Sequence, residues 1–84
     1  MRNQGLETTG RVQAIVADAI QVPVEMVTPD LAFGDLPQWD SLGHMEVMLR
    51  LEEQFGLTID ADLIAQLINI PEICKYLEEN GHVH

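Results

Sequence analysis

A helix start in the middle of the chain, at residues 39–45, constrains the fold more than any other feature. It follows a segment rich in proline and glycine and precedes an amphipathic run. Asp40 and Ser41 are both preferred N-cap residues, and helical periodicity begins at Leu42, which predicts a helix with its tip at Ser41. Backbone N–H groups point outward at such a tip and can hold a phosphate. On position alone, however, a serine there is more often only a cap.

The length of the chain limits it to one domain. Eighty-four residues, 46% of them hydrophobic, build a single modest core and leave no room for two lobes with a cleft. We therefore expect one domain over residues 1–84, with frayed ends at residues 1–7 and 81–84.

The charge of the chain is strongly acidic. Four basic residues stand against 14 acidic ones, a formal net charge of −10, which opposes binding to nucleic acid or an anionic membrane and favours a basic partner. No apolar stretch approaches the roughly 20 residues of a membrane span, and residues 1–5 lack the apolar run of a signal peptide. Cys74 is the one cysteine, so no internal disulfide forms. We expect a soluble monomer in the cytoplasm.

The first helix is predicted from a stripe of apolar side chains at helical spacing over residues 12–20. Thr8 or Thr9 can cap this helix, and Pro23 ends it.

The segment at residues 23–40 contains too many prolines and glycines for a long regular element. It is nevertheless apolar, so we expect a packed loop with one short turn near residues 24–27. The apolar residues expected to be buried in it are Val22, Val24, Met26, Val27, Leu31, Phe33 and Leu36.

The second helix is predicted from Ser41 to Phe55, with Gly56 stopping it. Its apolar side chains cover well over half of the circumference, so we expect this helix to be central and to touch more than one neighbour. His44 falls inside the apolar arc and is interpreted as a partly buried packing residue rather than a ligand or base. The arc comprises Leu42, Met45, Val47, Met48, Leu49, Leu51 and Phe55; the remaining strip is Gly43, Glu46, Arg50, Glu53 and Gln54.

Residues 57–59 alternate like a strand, but three residues without a second strand cannot make a sheet. They are read as a linker whose two apolar side chains point inward. Asp60 or Asp62 can cap a short third helix that runs to about residue 67.

The last helix is predicted to begin at the cap Asn69, with Pro71 in its first turn, and to end at Gly81. Cys74 lies on its apolar stripe and is interpreted as a core residue, not a nucleophile. The fold class is therefore all-α, a small four-helix bundle of three longer helices and one short one, with a long structured loop between the first two. The core is expected to include Val12, Ile15, Val16, Ile20, Val47, Leu51, Phe55, Ile59, Ile73 and Leu77.

Motifs for catalysis and metal binding are missing. There is no glycine-rich phosphate loop, paired cysteine or zinc-protease motif, and Asp60 with Asp62 lacks the later ligands of a calcium loop. Ser41 and His44 are three residues apart, but a serine hydrolase also needs an orienting carboxylate, an oxyanion hole and a pocket. We predict no catalytic residue and no metal site, and a chain that is a substrate of enzymes rather than an enzyme.

The order of these features resembles the acyl carrier protein family over nearly the whole chain. The resemblance rests on Asp40-Ser41-Leu42 after the long apolar loop, and on a second helix that ends in L-E-E-x-F-G-L-x-I. It implies that Ser41 carries 4'-phosphopantetheine, transferred from coenzyme A by a phosphopantetheinyl transferase, and that the terminal thiol holds acyl groups as thioesters. Carriers of fatty acyl, polyketide, aminoacyl and short acyl groups share this pattern.

The resemblance also implies a docking surface for acyl-transfer, ligase or synthase enzymes that have basic patches. Gly43 stands where the family often has an acid, and His44 and Arg50 follow, which leaves the choice of transferase and partners open. The docking residues implied are Asp40, Leu42, Met45, Glu46, Leu49, Glu52 and Glu53.

A second hypothesis is an acidic helical interaction domain without a prosthetic group. In that case Ser41 is only a cap, and the acidic face binds a basic partner. Intact mass after incubation with coenzyme A and a transferase separates the two.

Overall fold

The computed structural model describes residues 4–80, which form four α-helices and no named strand. A 3-10 helix at Val24–Met26 lies between the first two helices, and one isolated bridge pairs Ala32 with Asn69. The predicted all-α architecture is confirmed. The helices are α1 (Gln4–Ile20), α2 (Ser41–Phe55), α3 (Ala61–Gln66) and α4 (Ile70–Glu79).

α1 begins earlier than predicted. The expectation of a frayed segment through Glu7, with a cap at Thr8 or Thr9, is wrong for residues 4–7, which are helical. Thr8 is buried on the same face as Val12, four residues on, so it packs against the core instead of capping. Residues 1–3 and 81–84, also expected to be frayed, lie outside the described residues.

Three α-helices start with the same local chemistry. The side chains of Asp40, Asp60 and Asn69 each accept the N–H of the residue three positions on, at 2.9, 2.9 and 2.7 Å. Each such bond satisfies one of the N–H groups that a helix start leaves without a partner. Gly56, at φ 67°, closes α2 in the left-handed conformation that a glycine adopts without strain. The predicted starts of α2, α3 and α4 are thus confirmed.

The loop between α1 and α2 is ordered, and its predicted short turn is the 3-10 helix. The predicted burial of Val24, Met26 and Phe33 is wrong, since all three are exposed. A hydrogen bond of 2.6 Å from Gln13 Nε2 to the Val27 carbonyl ties the loop to α1, and the loop buries only some of its apolar side chains. The residues that pack inward are Val22, Val27, Leu31 and Leu36.

The most extensive helix contacts belong to α1, which packs against both α2 and α4. The most connected helix is thus α1, and not α2 as was predicted, but α2 does touch more than one neighbour: α1 and, through His44, α3. Of the predicted core residues, Ile15, Phe55 and Ile59 are half-buried against the core and the others are buried. Other apolar residues that the sequence placed inward or on apolar helical positions are buried as well: Val27, Leu31, Met48, Leu57, Leu67 and Ile70. Within residues 4–80, the one large buried side chain that the prediction omitted is Trp39.

Candidate functional site

Ser41 is the first residue of α2 and is exposed. Of the two candidate caps, Asp40 takes the role: its carboxylate accepts the Gly43 N–H at 2.9 Å, and its carbonyl accepts the His44 N–H at 2.7 Å. The Ser41 hydroxyl is thus not needed for the cap. It is also the one serine hydroxyl in the chain.

The tip of α2 suits a phosphate. The N–H groups of Ser41 and Leu42 are the first two of a 15-residue helix, ahead of those that Asp40 satisfies. They lie at the positive end of the helix dipole, beside the Ser41 side chain. A phosphodiester formed on that hydroxyl would have backbone donors next to it, so these residues fit a phosphate-linked prosthetic group.

Trp39 directly precedes the cap residue Asp40 and anchors the segment that leads to Ser41. Its indole is fully buried, and Nε1–H donates to His44 Nδ1 at 3.0 Å. The second nitrogen of the ring, Nε2, lies 2.8 Å from the Ile64 carbonyl of α3. The interpretation of His44 as a packing residue is confirmed, since 5% of it is exposed.

Sequence reasoning missed Trp39, although a signal was present. The residue before an N-cap often packs against the fourth residue of the helix, and these two positions are Trp39 and His44.

Gly43 marks a close approach between α2 and its surroundings. A Cβ atom built there would lie 2.3 Å from the Gln38 carbonyl oxygen and 3.1 Å from Ile20 Cγ2. No side chain fits without a shift of the loop. This packing gives a physical reason for the glycine at the position where the resemblance leads one to expect an acid.

The apolar arc predicted for α2 divides into two opposite faces. The inner face, with His44, Val47, Met48 and Leu51, is buried. On the outer face Leu42, Met45 and Leu49 are 80%, 45% and 49% exposed, so their place in a single packed arc is wrong. They stay uncovered because the main neighbour of α2 is α1, which packs against one side.

The structure brings five of the seven predicted docking residues together. The exposed side chains of Leu42, Met45, Glu46, Leu49 and Glu53 recur at i, i+3, i+4, i+7 and i+11, which places them on one face of α2. We call these five residues the outer stripe.

The other two predicted docking acids are occupied by backbone N–H groups. Asp40 caps α2, and the Glu52 carboxylate accepts the Ile59 N–H at 3.1 Å. Within the outer stripe, Glu46 pairs with Arg50, at 3.6 Å from Oε1 to Nε, and Arg50 also binds Asp18 of α1.

Comparison with known proteins places the chain in a family. Residues 10–77 match the model of the phosphopantetheine attachment site. An acyl carrier protein of Helicobacter pylori (strain ATCC 700392 / 26695) is 35% identical over 69 residues, which cover 82% of this chain and 88% of that protein. An acyl carrier protein of Thermosynechococcus vestitus is 32% identical over 71 residues, 84% of this chain and 88% of the relative. The chain belongs to the acyl carrier protein family.

As an acyl carrier protein it is a carrier rather than an enzyme, and its prosthetic group is a covalently attached 4'-phosphopantetheine. The rest of the carrier offers no competing site among residues 4–80. No group of three or more His, Cys, Asp or Glu residues there is arranged to hold a metal ion. Nor is any described helix both long and apolar enough to cross a membrane.

Cys74, the one thiol of the polypeptide, is part of the core of this acyl carrier protein. Burial raises the pKa of the Cys74 thiol; the hydrogen bond to Thr9 lowers it by less, and the charge of Glu78 adds a still smaller rise. The thiol donates to Thr9 Oγ1 at 3.7 Å. Its interpretation as a core residue is confirmed.

Proposed function

We propose that this acyl carrier protein carries acyl or aminoacyl intermediates as thioesters on a 4'-phosphopantetheine arm attached to Ser41. A phosphopantetheinyl transferase supplies the arm from coenzyme A. The loaded carrier then serves enzymes of fatty acid, polyketide or other specialised biosynthesis. Because the arm ends in a thiol that has to stay reduced, we place this function in the cytoplasm.

The observation that carries the proposal is that Asp40, and not Ser41, caps α2. Asp40 accepts the Gly43 N–H, which leaves the exposed Ser41 hydroxyl free to attack coenzyme A. His44 is not available as a base for that attack, because its two nitrogens are bonded to Trp39 and Ile64. The transferase therefore has to supply the general base and the metal ion.

The outer stripe is the surface proposed to meet partner enzymes. It combines exposed apolar area with two carboxylates, beside the residue that holds the arm. Acidic groups around an apolar centre favour a partner with basic residues around an apolar pocket, and the charge speeds encounter. The binding partners proposed are the transferase and acyl-transfer, ligase or synthase enzymes with basic patches.

Intact-mass spectrometry tests the attachment residue. The purified carrier, incubated with coenzyme A, magnesium and a transferase of broad specificity, should gain the mass of one phosphopantetheine. Ser41→Ala should gain none and should keep its fold, because Asp40 caps the helix. Thr58→Ala, which removes another exposed hydroxyl, is the matched control and should be modified like the wild type. Modification of Ser41→Ala would contradict the proposal.

A further inference from the structure

Two hydrogen bonds, which we call the relay, join the segment before Ser41 to α2 and α2 to α3. The Trp39 indole donates to His44 Nδ1 at 3.0 Å, and His44 Nε2 lies 2.8 Å from the Ile64 carbonyl oxygen. Trp39 belongs to the segment ahead of Ser41, His44 to the first turns of α2, and Ile64 to α3. One imidazole ring therefore joins three elements.

The hydrogen-bond partners of His44 select which ring nitrogen carries the proton of the neutral imidazole. An indole N–H only donates, so Nδ1 has to accept; a carbonyl oxygen only accepts, so Nε2 has to carry the proton. The arrangement is satisfied by one neutral tautomer. A second proton, on Nδ1, would face the Trp39 N–H and break the first bond.

Among the described residues, His44 forms no ion pair with a carboxylate. The acids on the surrounding elements lie in the loop, on α2 and at the start of α3: Glu25, Asp30, Asp35, Asp40, Glu46, Glu52, Glu53, Asp60 and Asp62. Glu46 pairs with Arg50, and Glu52 accepts the Ile59 N–H. Asp30 accepts the Thr28 hydroxyl, and Glu25 and Glu53 are exposed. The carboxylates of Asp35, Asp40 and Asp60 accept backbone N–H groups of Ala32, Gly43 and Leu63. Asp62 is exposed, and the two ring nitrogens bond to Trp39 and Ile64.

The bond to Ile64 matters because α3 is short. A helix of six residues has little stability of its own, and the last carbonyls of a helix lack partners within it. Leu67 N–H closes the turn on Leu63, and Ile68 N–H bonds to Gln66, which leaves the Ile64 carbonyl to His44. The same ring that holds the Trp39 segment therefore also holds α3 to α2.

We propose that Trp39 and His44 are positioning residues for the transfer of phosphopantetheine to Ser41, acting through the neutral Nε2–H tautomer of His44. The relay fixes the segment that enters α2, so the transferase meets a preformed helix tip. Trp39 and His44 do not touch the reacting atoms. This inference rests on the proposed role of Ser41.

Such a role predicts a particular kinetic signature. When only a fraction of the carrier molecules hold the helix tip in the conformation that the transferase binds, the apparent affinity is reduced by that fraction. The complex, once formed, reacts as before. Loss of one buried hydrogen bond changes the ratio of competent to other tip conformations by about fivefold, so the apparent KM rises by up to that factor. Trp39→Phe, which removes one bond, should therefore raise the KM for the carrier by up to about fivefold. His44→Leu, which removes both bonds, should raise the KM at least as much, and both variants should keep the wild-type kcat.

The control is a core substitution away from the relay. Ile73→Val lowers stability through α4, where Ile73 is fully buried, without touching the three relay residues. At a temperature where circular dichroism shows every variant folded, Ile73→Val should keep the wild-type KM. An equal rise in KM for Ile73→Val, or no rise for either relay variant, would overturn the positioning role.

Two spectroscopic measurements judge the relay without the transferase. Nitrogen-15 spectra of the imidazole at neutral pH should show a protonated Nε2 and an unprotonated Nδ1 for His44; the other tautomer or a doubly protonated ring would overturn the proposal. Amide exchange of Ile64 and Leu67 should quicken in both relay variants and not in Ile73→Val; equal exchange in all three would also overturn it. If wild type never gains phosphopantetheine, the proposed role of Ser41 fails, whereas these spectra still decide whether the relay exists.

Discussion

The inner and outer faces of α2 are built from similar residues and behave in opposite ways. Met48 and Leu51 are 2% and 0% exposed, whereas Met45 and Leu49, in the adjacent turns of the same helix, are 45% and 49% exposed. Burial of the inner face stabilises the bundle. The outer face leaves apolar area in water, which costs stability and is typical of a surface that meets a partner. The inner face stabilises the fold and the outer face is proposed to bind partners, and substitutions on each face separate the two roles.

The largest effect is expected on the inner face. Leu51→Ala removes a fully buried side chain between α2 and its neighbours and should cost about 2 to 5 kcal/mol of unfolding free energy, from lost transfer energy and the cavity left behind. Urea denaturation followed by circular dichroism measures this. A loss below about 1 kcal/mol would mean that the two faces do not differ as described.

A smaller effect is expected at the edge between the faces. Gly43→Ala places a Cβ atom 2.3 Å from the Gln38 carbonyl oxygen, so the loop has to move, at a cost of about 1 to 3 kcal/mol. Gly10→Ala is the matched control: its Cβ meets nothing within 4 Å, and alanine in the middle of α1 should stabilise by roughly 0.5 to 1 kcal/mol. A lower melting temperature for Gly43→Ala together with a higher one for Gly10→Ala would support the close approach at Gly43. A neutral Gly43→Ala would contradict it.

The helix starts were predictable because their causes are local. Asp40, Asp60 and Asn69 each act on the residue three positions on, and such a contact is visible in the sequence. Gly56 and the periodicity of α2 are local in the same way. The early start of α1 was not predictable from Thr8, because the burial of that side chain depends on the packing of the whole helix.

The sides on which apolar residues are buried depend on distant parts of the chain. The sequence of α2 shows the angular positions of Leu42, Met45 and Leu49, but not that α1 covers the opposite side. Val24, Met26 and Phe33 pose the same problem in the loop, since any of them would suit a core.

The Trp39 relay was missed because its third partner, the Ile64 carbonyl, is backbone and has no signal in the sequence. For the site, the sequence predicted an exposed Ser41 at the tip and the grouping of acids with apolar residues, but not the engagement of Glu52 with Ile59.

A substitution on the outer face should leave stability nearly unchanged. Leu49→Ala removes a half-exposed side chain, so the unfolding free energy should fall by no more than about 0.5 kcal/mol, in contrast to Leu51→Ala two residues on. The rate at which the transferase loads the carrier at limiting carrier concentration should nevertheless decrease, because docking loses apolar contact. If the transferase loads Leu49→Ala at the wild-type rate, Leu49 is not part of the docking surface. A large loss of stability would show instead that the outer face is part of the core.

The smallest change in stability is expected for a charge on the outer stripe. Glu53→Lys is preferable to a reversal of Glu46, since Glu46 pairs with Arg50 and its reversal would also disturb that pair. Glu79→Lys on α4 is the control: each reversal replaces one negative charge by one positive, so both move the net charge from −10 to −8. The unfolding free energy of both variants should lie within about 0.5 kcal/mol of the wild-type value.

The loading rate separates the two variants. If the local field of the outer stripe steers partners, Glu53→Lys should slow loading by the transferase more than Glu79→Lys does. The difference should vanish near 1 M salt, where the Debye length is only about 3 Å. If both reversals slow loading equally at low salt, net charge alone steers the partner. The outer stripe would then contribute only its apolar contacts.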